Sequence, residues 1–256
     1  MNRRDFASLT LAAPLFQLLA SPLRAQSSSV NRPKIGMLVY NDMILLDLVG
    51  PLTAFNMMQA DVHLIARSLQ PINPDVRIPI APTDTFETSP TSLDVLFVPG
   101  GLKGTLDAIK DDKTIGFVKE HGATAGLVTS VCTGSLLLGA AGLLSGYRAT
   151  SHWYVRDLLA QMGATVQTDR VVVDRNRITG GGVTAGIDFG LTIAAKMAGE
   201  ETAKRMQLLI EYDPKPPFDA GSPEHAGTTL VEDVLARRKQ LIDTIPKDQL
   251  KALQRG

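Results

Sequence analysis

The single cysteine of the chain, Cys132, lies where a thiol could act as a nucleophile. It follows the mostly apolar and β-branched run Leu127–Val131, and the small residues Thr133, Gly134 and Ser135 come directly after it. This pattern predicts a tight strand-to-helix turn that lifts the cysteine above the sheet at the start of a helix. Unpaired helical N–H groups favour a thiolate, so we expect the pKa of Cys132 to be lowered. The alternative is a small buried hydrophobic residue, and the turn residues favour the chemical role.

Composition excludes several classes of protein. Of the 256 residues, 44% are hydrophobic and 20% are charged, as in a globular protein. Lysine and arginine number 26, as do aspartate and glutamate, so no charge excess indicates nucleic acid or an acidic membrane as a partner. No spacing of Cys, His and carboxylate residues suggests a metal site. Residues 180–182 (GGG) lack the Gly-x-Gly-x-x-Gly pattern, and we expect no cofactor.

Residues 1–26 have the features of an export signal. The pair Arg3 and Arg4 precedes Asp5 and Phe6, an apolar stretch covers residues 6–20, and small residues follow. Adjacent arginines are typical of the twin-arginine signal, which predicts a periplasmic protein without stable membrane association after export. The alternative is an amphipathic extension on a cytoplasmic protein. We assign residues 27–33 to a linker and 34–256 to one domain that ends in a helical extension.

From residue 34 onward, predicted strands and helices alternate. The strands are 35–40, 62–66, 94–98, 127–131 and a hairpin of 171–173 with 177–179, with short β segments near a sheet edge at 76–86. The helices are 48–58, 113–121, 133–141, 153–162, 184–197 and a charged C-terminal helix opened by a capping box at residues 229–232. The order predicts an α/β fold with a mostly parallel sheet sandwiched by helices. Helix 184–197 is so apolar that we expect it inside the protein or against a partner.

Five segments resemble the DJ-1/PfpI superfamily: residues 98–101 (VPGG), 129–135 (TSVCTGS), 140–144 (AAGLL), 148–153 (RATSHW) and 179–188 (TGGGVTAGID). Residues 46–51 (LDLVGP), 207–212 (QLLIEY) and 216–223 (PPFDAGSP) are similar to the isocyanide hydratases within it. The resemblance implies a flavodoxin-like, class I glutamine amidotransferase-like fold and a homodimer. It also implies that a small isocyanide, R–N≡C, is hydrated to an N-substituted formamide through a cysteine thioimidate.

The resemblance also assigns roles to individual residues. Cys132 matches the nucleophile, and Asp47 matches the carboxylate that faces it in the isocyanide hydratases. By its position before Leu48, Asp47 could also be a solvated helix N-cap. Thr133 stands where PfpI-type peptidases have a histidine, and the loss of that base argues against peptide hydrolysis. For acid catalysis, burial beside the thiolate must raise the pKa of Asp47.

Three further residues complete the predicted site. The amides of Gly101 and Thr133 are expected donors around the reacting carbon and its attacking oxygen, because both lie in loops at the carboxyl ends of strands. Gly181 is expected to support the site. His152 could be a base or a hydrogen-bonded structural group, and we favour the supporting role because Asp47 already supplies the acid.

Three other function classes compete with the hydratase. Cys132 could be oxidised reversibly in a redox-responsive protective protein, or it could serve another cysteine-dependent hydrolase or lyase of the superfamily. Ligand-sensing regulators share the CTG and HW segments but add a helical DNA-binding domain. We disfavour this class because only about 30 residues follow Gly227 and no basic stretch occurs.

Overall fold

The structure, a computed structural model, describes residues 32–244. The predicted export signal and residues 27–31 of the predicted linker therefore lie outside the described residues. No helix within residues 32–244 is long and apolar enough to cross a membrane.

A seven-stranded sheet forms the centre of the fold, in the order β3-β2-β1-β4-β5-β9-β8. Its pairs are parallel except β8 with β9, which form the predicted antiparallel hairpin. Two further short strands, β6 and β7, pair separately. The strands are β1 (Lys34–Leu38), β2 (Asp61–Ala66), β3 (Asp84–Thr85), β4 (Val95–Val98), β5 (Leu127–Val131), β6 (Arg148–Ala149), β7 (Thr165–Val166), β8 (Val171–Asp174) and β9 (Arg177–Gly180). The central strands β4 and β5 are buried throughout, which explains their nearly continuous apolar sequences.

Helices cover both faces of the sheet, so the predicted sandwich is confirmed. One core joins β4 and β5 to α2, α3, α4 and α5, and the other joins the sheet to α1 and α6. The helices are α1 (Leu45–Met57), α2 (Leu102–Ile109), α3 (Asp112–Thr124), α4 (Gly134–Ala140), α5 (Leu158–Gln161), α6 (Ala185–Ala198), α7 (Glu200–Leu209), α8 (Pro223–Ala226) and α9 (Thr228–Asp243). Helix α2 was not predicted, and it follows β4 directly.

Several predicted boundaries are wrong. Helix α1 begins at Leu45, so Asp47 lies within its first turn and is not the N-cap. In the predicted helix 153–162, only residues 158–161 are α-helical. The N–H groups of Val155 and Leu158 each donate to the carbonyl three residues earlier, as in 3₁₀ turns. Helix α9 follows Gly227, so Thr229 is its second residue and no capping box forms. Within residues 76–86, only β3 is a strand, and it lies at the predicted sheet edge.

The two glycines of α6 let it pack closely on α1 within the same chain. A Cβ at Gly190 would lie 2.9 Å from the Ala54 Cβ, and one at Gly186 would lie 3.2 Å from Pro51. The expectation that α6 is internal is therefore correct, and its glycine face is occupied by α1. Asp47 lies one turn before Pro51 on α1, so this packing helps to hold the carboxylate in place.

Candidate active site

Cys132 forms the predicted elbow between β5 and α4. Its φ of 55° lies in the left-handed region, which costs about 1–3 kcal/mol for a non-glycine residue. The Cys132 N–H donates to the Gly180 and Gly181 carbonyls at 3.1 and 2.6 Å. The Cys132 carbonyl accepts from Ser135 Oγ at 3.2 Å and Ser151 Oγ at 3.0 Å. These bonds hold the strained backbone, and they give Gly181 a direct structural role behind the cysteine.

Asp47 is fully buried beside this elbow. Its Oδ2 accepts from the Gly100 N–H at 2.9 Å, while its buried Oδ1 has no hydrogen-bond partner within residues 32–244. Burial raises the pKa of Asp47 to about 7, against the lowering effects of the Gly100 N–H and the Cys132 thiol. A carboxyl of this kind exchanges its proton near neutral pH, as an acid catalyst requires.

Burial also raises the pKa of Cys132 well above its usual value, and the negative charge of Asp47 adds to this effect. The N–H and hydroxyl of Thr133 act in the opposite direction but are outweighed. The expectation of a lowered thiol pKa is therefore wrong, because only 2% of Cys132 is exposed and desolvation of a thiolate dominates. The thiol and the carboxyl form a coupled pair, in which the carboxyl is the natural acceptor for the thiol proton.

Gly100 is the contact point between the acid and the nucleophile. A Cβ at this position would lie 2.7 Å from Asp47 Oδ2, 2.7 Å from the Cys132 Cβ and 2.6 Å from the Thr133 nitrogen. Only a glycine lets these three groups approach so closely. The sequence analysis singled out the neighbouring Gly101 instead, although the VPGG segment contained both residues.

Thr133 is joined to a chain of buried hydroxyl groups. Its Oγ1 accepts from the Gly101 N–H at 2.9 Å and lies 2.9 Å from Thr105 Oγ1. Thr105 Oγ1 lies 3.1 Å from the Tyr40 hydroxyl, which donates to the Pro99 carbonyl at 2.5 Å. The Gly101 N–H is therefore already engaged by Thr133, which corrects its expected role as a donor to the substrate. The Thr133 N–H faces the Cys132 sulfur.

His152 lies in an aromatic cluster next to the site. Its ring centroid is 3.9 Å from that of Tyr154, and its Nδ1 is buried without a partner among the described residues. Burial lowers the pKa of His152 to about 4, with smaller contributions from Arg238 and Arg156, so the ring is neutral. Sequence analysis missed Tyr154, which belongs to the same cluster. Burial raises the pKa of Tyr154, and the negative charges of Cys132 and Asp47 raise it further. No hydrogen bond links His152 to Cys132 or Asp47 within the described part of the chain.

The site lies at the carboxyl ends of β1, β4 and β5. The chain leaves β1 toward β2 on one side and returns to β4 on the other, so this edge is the topological switch point of the sheet. Ligands of open α/β sheets bind at such points. Among residues 32–244, no group of three His, Cys, Asp or Glu residues is placed to hold a metal ion.

Comparisons with known proteins agree with this architecture. The sequence profile described as the DJ-1/PfpI family matches residues 33–196. The isonitrile hydratase of Pseudomonas putida is 47% identical over 205 residues, which cover 80% of this chain and 89% of that protein. Protein dj-1beta of Drosophila melanogaster is 29% identical over 142 residues, covering 54% and 75% of the two chains. The crystal structure of a ThiJ/PfpI family protein from Pseudomonas syringae has a TM-score of 0.81 and 44% identity, and the match covers 93% of this chain and 99% of that one.

Proposed function

The chain belongs to the DJ-1/PfpI family, and from this premise we propose that it is an isocyanide hydratase with Cys132 as the nucleophile. The extent of the similarity to the Pseudomonas putida enzyme supports this activity. One observation carries the proposal: the buried Asp47 carboxyl, with an unpartnered Oδ1 and a pKa of about 7, lies beside the thiol. The sulfur and a proton must both add to the same carbon atom, so the reaction requires such a proton donor next to the sulfur.

The shape of the substrate group also fits the burial of the thiol. Cys132 is only 2% exposed, so a bulky acyl group or peptide cannot surround its sulfur without displacing protein atoms. The N≡C end of an isocyanide is linear and unbranched, and its reactive carbon is terminal. A slender group of this kind can reach a nearly buried nucleophile, which supports a hydratase over a peptidase.

In the first step, the thiol proton passes to Asp47 and the sulfur adds to the terminal carbon of R–N≡C. Asp47 then protonates the same carbon, so that one C–S and one C–H bond form and one C–N π bond is lost. The product is the thioimidate R–N=CH–S–Cys132, and Asp47 is left as a carboxylate. Covalent catalysis thereby divides a difficult hydration into two easier additions.

In the second step, water adds to the thioimidate carbon. Asp47 takes a proton from the water as the C–O bond forms, and this proton goes to the nitrogen. The C–S bond then breaks, the sulfur leaves with its electron pair, and the remaining hydroxyl proton returns to Asp47. The sum is R–N≡C plus water giving R–NH–CHO, with the Cys132–Asp47 pair restored.

The activity is tested by incubating the protein with a panel of isocyanides and following the formamide proton by nuclear magnetic resonance. We expect product with the wild-type protein and none with Cys132→Ser. A slow variant should carry an adduct of one substrate mass on Cys132, detected by mass spectrometry. Absence of formamide from every isocyanide tested would contradict the proposal.

A redox role of Cys132 is the competing function. Oxidation of a cysteine begins from an accessible thiolate, whereas burial disfavours the Cys132 thiolate. In the hydratase reaction, Asp47 removes the thiol proton as the sulfur attacks, so the resting thiol can stay protonated. Oxidation has no comparable step that uses Asp47. The burial of the thiol therefore supports the hydratase over the redox function.

We also propose a homodimer, as the family resemblance implies. Helix α1 exposes Leu46 and Val49, which are 45% and 37% accessible, beside an apolar groove of about 270 Å³ that includes Met57 and Leu191. Leu46→Glu should shift the mass measured by light scattering from dimer to monomer, because a carboxylate in an apolar interface loses its hydration. Ile78→Glu, at an exposed residue outside the groove, is the control. A monomeric wild-type protein would exclude the dimer.

Export through the twin-arginine route remains our proposal for residues 1–26, and it places the protein in the periplasm. Replacing Arg3 and Arg4 together by lysine should retain the precursor in the cytoplasm, since a receptor recognises the arginine pair. Cell fractionation measures this effect. Uncleaved wild-type protein in the cytoplasm would favour the alternative of an N-terminal extension.

A further inference from the structure

The hydroxyl groups of Tyr40, Thr105 and Thr133 form an unbroken line between the Pro99 carbonyl and the Cys132 sulfur. The steps are 2.5 Å from Tyr40 to Pro99, 3.1 Å from Tyr40 to Thr105 and 2.9 Å from Thr105 to Thr133. The Thr133 hydroxyl adjoins the Cys132 sulfur, and its effect is to lower the pKa of the thiol. Thr105 and Thr133 are fully buried and Tyr40 is half-buried, so solvent does not reach the two inner hydroxyls of the line.

The hydroxyls of this line supply one proton fewer than the number of hydrogen bonds along it. Each hydroxyl donates a single hydrogen bond, so three hydroxyls supply three protons for four steps. When the protons point outward, Tyr40 donates to Pro99, Thr105 to Tyr40 and Thr133 to Thr105, and the sulfur receives no hydroxyl bond. When they point inward, Thr133 donates to the sulfur and the Pro99 carbonyl loses its donor. Within residues 32–244 no backbone N–H donates to that carbonyl.

The charge on the sulfur decides between the two orders. A neutral thiol is a weak acceptor, so the carbonyl takes the proton and the outward order is favoured. A thiolate is a charged acceptor and binds a hydroxyl more strongly, so it favours the inward order. The Gly101 N–H donates to Thr133 Oγ1 at 2.9 Å in both orders and holds this oxygen in place.

We propose that Tyr40, Thr105 and Thr133 form a hydroxyl relay that reverses direction when Cys132 ionises, with Tyr40 and Thr105 as positioning residues that hold the nucleophile in its thiol form. Tyr40 suits the far end of the relay because burial raises its own pKa and keeps its proton in place. The relay explains why three hydroxyls lie in line in a region that could have been apolar. It rests on the proposed function only in taking Cys132 as the nucleophile.

The relay makes an unusual prediction for the removal of a distant hydroxyl. In Tyr40→Phe, Thr105 loses its outward acceptor, so its proton turns inward and Thr133 is free to donate to the sulfur. Thr105→Val likewise leaves Thr133 without an outward acceptor. Both changes should lower the apparent pKa of Cys132 by about one unit, a tenfold increase in ionisation that corresponds to about 1.4 kcal/mol. Thr133→Val removes the donor itself and should raise this pKa.

Thiolate absorbance in the ultraviolet, followed against pH, measures the effect, and the single cysteine makes the signal unambiguous. Each titration is corrected with the same variant carrying Cys132→Ser, which removes the tyrosine background. The other titratable groups that face the thiol, Asp47 and Tyr154, are unchanged in every variant, as is Arg238 beyond Tyr154. This measurement requires no isocyanide, so its failure is distinct from failure of the hydratase assay.

Two controls separate the relay from a general structural role. Tyr147→Phe removes a hydroxyl outside the relay, from a ring that stacks under Arg175, and should leave the thiol pKa unchanged. Thr105→Ser restores the relay hydroxyl and should behave as wild type. If either Tyr40→Phe or Thr105→Val folds and its apparent pKa is unchanged or higher, the relay is wrong. If one of them does not fold, the other decides.

Discussion

Asp47→Asn separates the chemical role of the carboxyl from its role in packing. Asparagine has the same shape, and its amide oxygen can still accept the Gly100 N–H bond that Asp47 Oδ2 accepts at 2.9 Å. The amide nitrogen then takes the place of Oδ1, the buried oxygen without a partner among residues 32–244. The variant therefore keeps the contact with Gly100 but can neither donate a proton to carbon nor accept one from sulfur.

The expected loss of activity follows from the role of Asp47 as acid and base. A positioned general acid contributes about 10²–10⁴-fold, so kcat should fall by that factor while substrate binding is retained. This corresponds to about 3–5 kcal/mol of transition-state stabilisation. In the wild type, the pair is active when it holds one proton, so kcat/KM should rise with pH through about 7, where Asp47 loses its own proton. Asp47→Asn should lack this acid limb.

The same substitution should change the pH dependence of stability. The pKa of Asp47 is about 7 in the fold against 3.8 in its unperturbed state, so between these values the native state binds more protons than the unfolded state. Wild-type stability therefore falls as pH rises through this window, by at most about 4 kcal/mol at about 1.4 kcal/mol per pKa unit. Asp47→Asn should lose this decrease, and its stability relative to wild type should improve from pH 4 to pH 8.

Formamide production at several pH values and urea denaturation at pH 4, 6 and 8 measure the two effects on the same protein. Near wild-type turnover by Asp47→Asn would refute the assignment of Asp47 as the proton donor. Identical pH dependence of the unfolding free energy in the two proteins would refute the raised carboxyl pKa. Lost activity with unchanged pH dependence of stability would show that the reaction needs the Asp47 carboxyl but that its pKa is not raised.

Two further substitutions test how the elbow is built. Gly100→Ala should abolish turnover and cost about 2 kcal/mol or more of unfolding free energy, because its Cβ would meet Asp47, Cys132 and Thr133 at 2.6–2.7 Å. The control is Gly116→Ala in α3, whose Cβ would meet nothing within 4 Å. Thermal unfolding should show this control to be neutral or stabilising. Cys132→Gly should be more stable than Cys132→Ala by about 1 kcal/mol in denaturant titrations, because glycine relieves the strain at φ 55°. Equal stabilities of these two variants would show that the elbow is not strained, and both should be inactive.

Much of the fold could be predicted from local sequence patterns. The apolar runs around β1, β4 and β5 and the hairpin of β8 and β9 appear where expected, because strands buried on both faces need continuous apolar sequences. Helix boundaries were less accurate, as at α1 and α9. A helix start depends on which polar groups the surrounding structure satisfies, and the residues at the start do not determine this alone.

Local sequence patterns were enough to predict the chemical possibilities at the elbow. The single cysteine, the small residues after it and the family resemblance of the surrounding segments are local features, and they predicted a tight turn with Cys132 at its tip. The left-handed φ of Cys132 was seen only in the structure. The raised pKa of Asp47 was also expected, once the resemblance had paired it with the thiol.

The charge and the hydrogen bonding of the site depend on contacts between distant parts of the folded chain. The thiol pKa rises because residues distant in sequence bury Cys132 and place Asp47 against it, an effect that outweighs the local N–H groups. The Gly101 N–H bonds to Thr133, 32 residues away, and the Tyr40 hydroxyl reaches Pro99, 59 residues away. Local patterns cannot specify such contacts, because electrostatics and hydrogen bonding depend on distance in space, which the packing of α1, α2 and α4 around the sheet establishes.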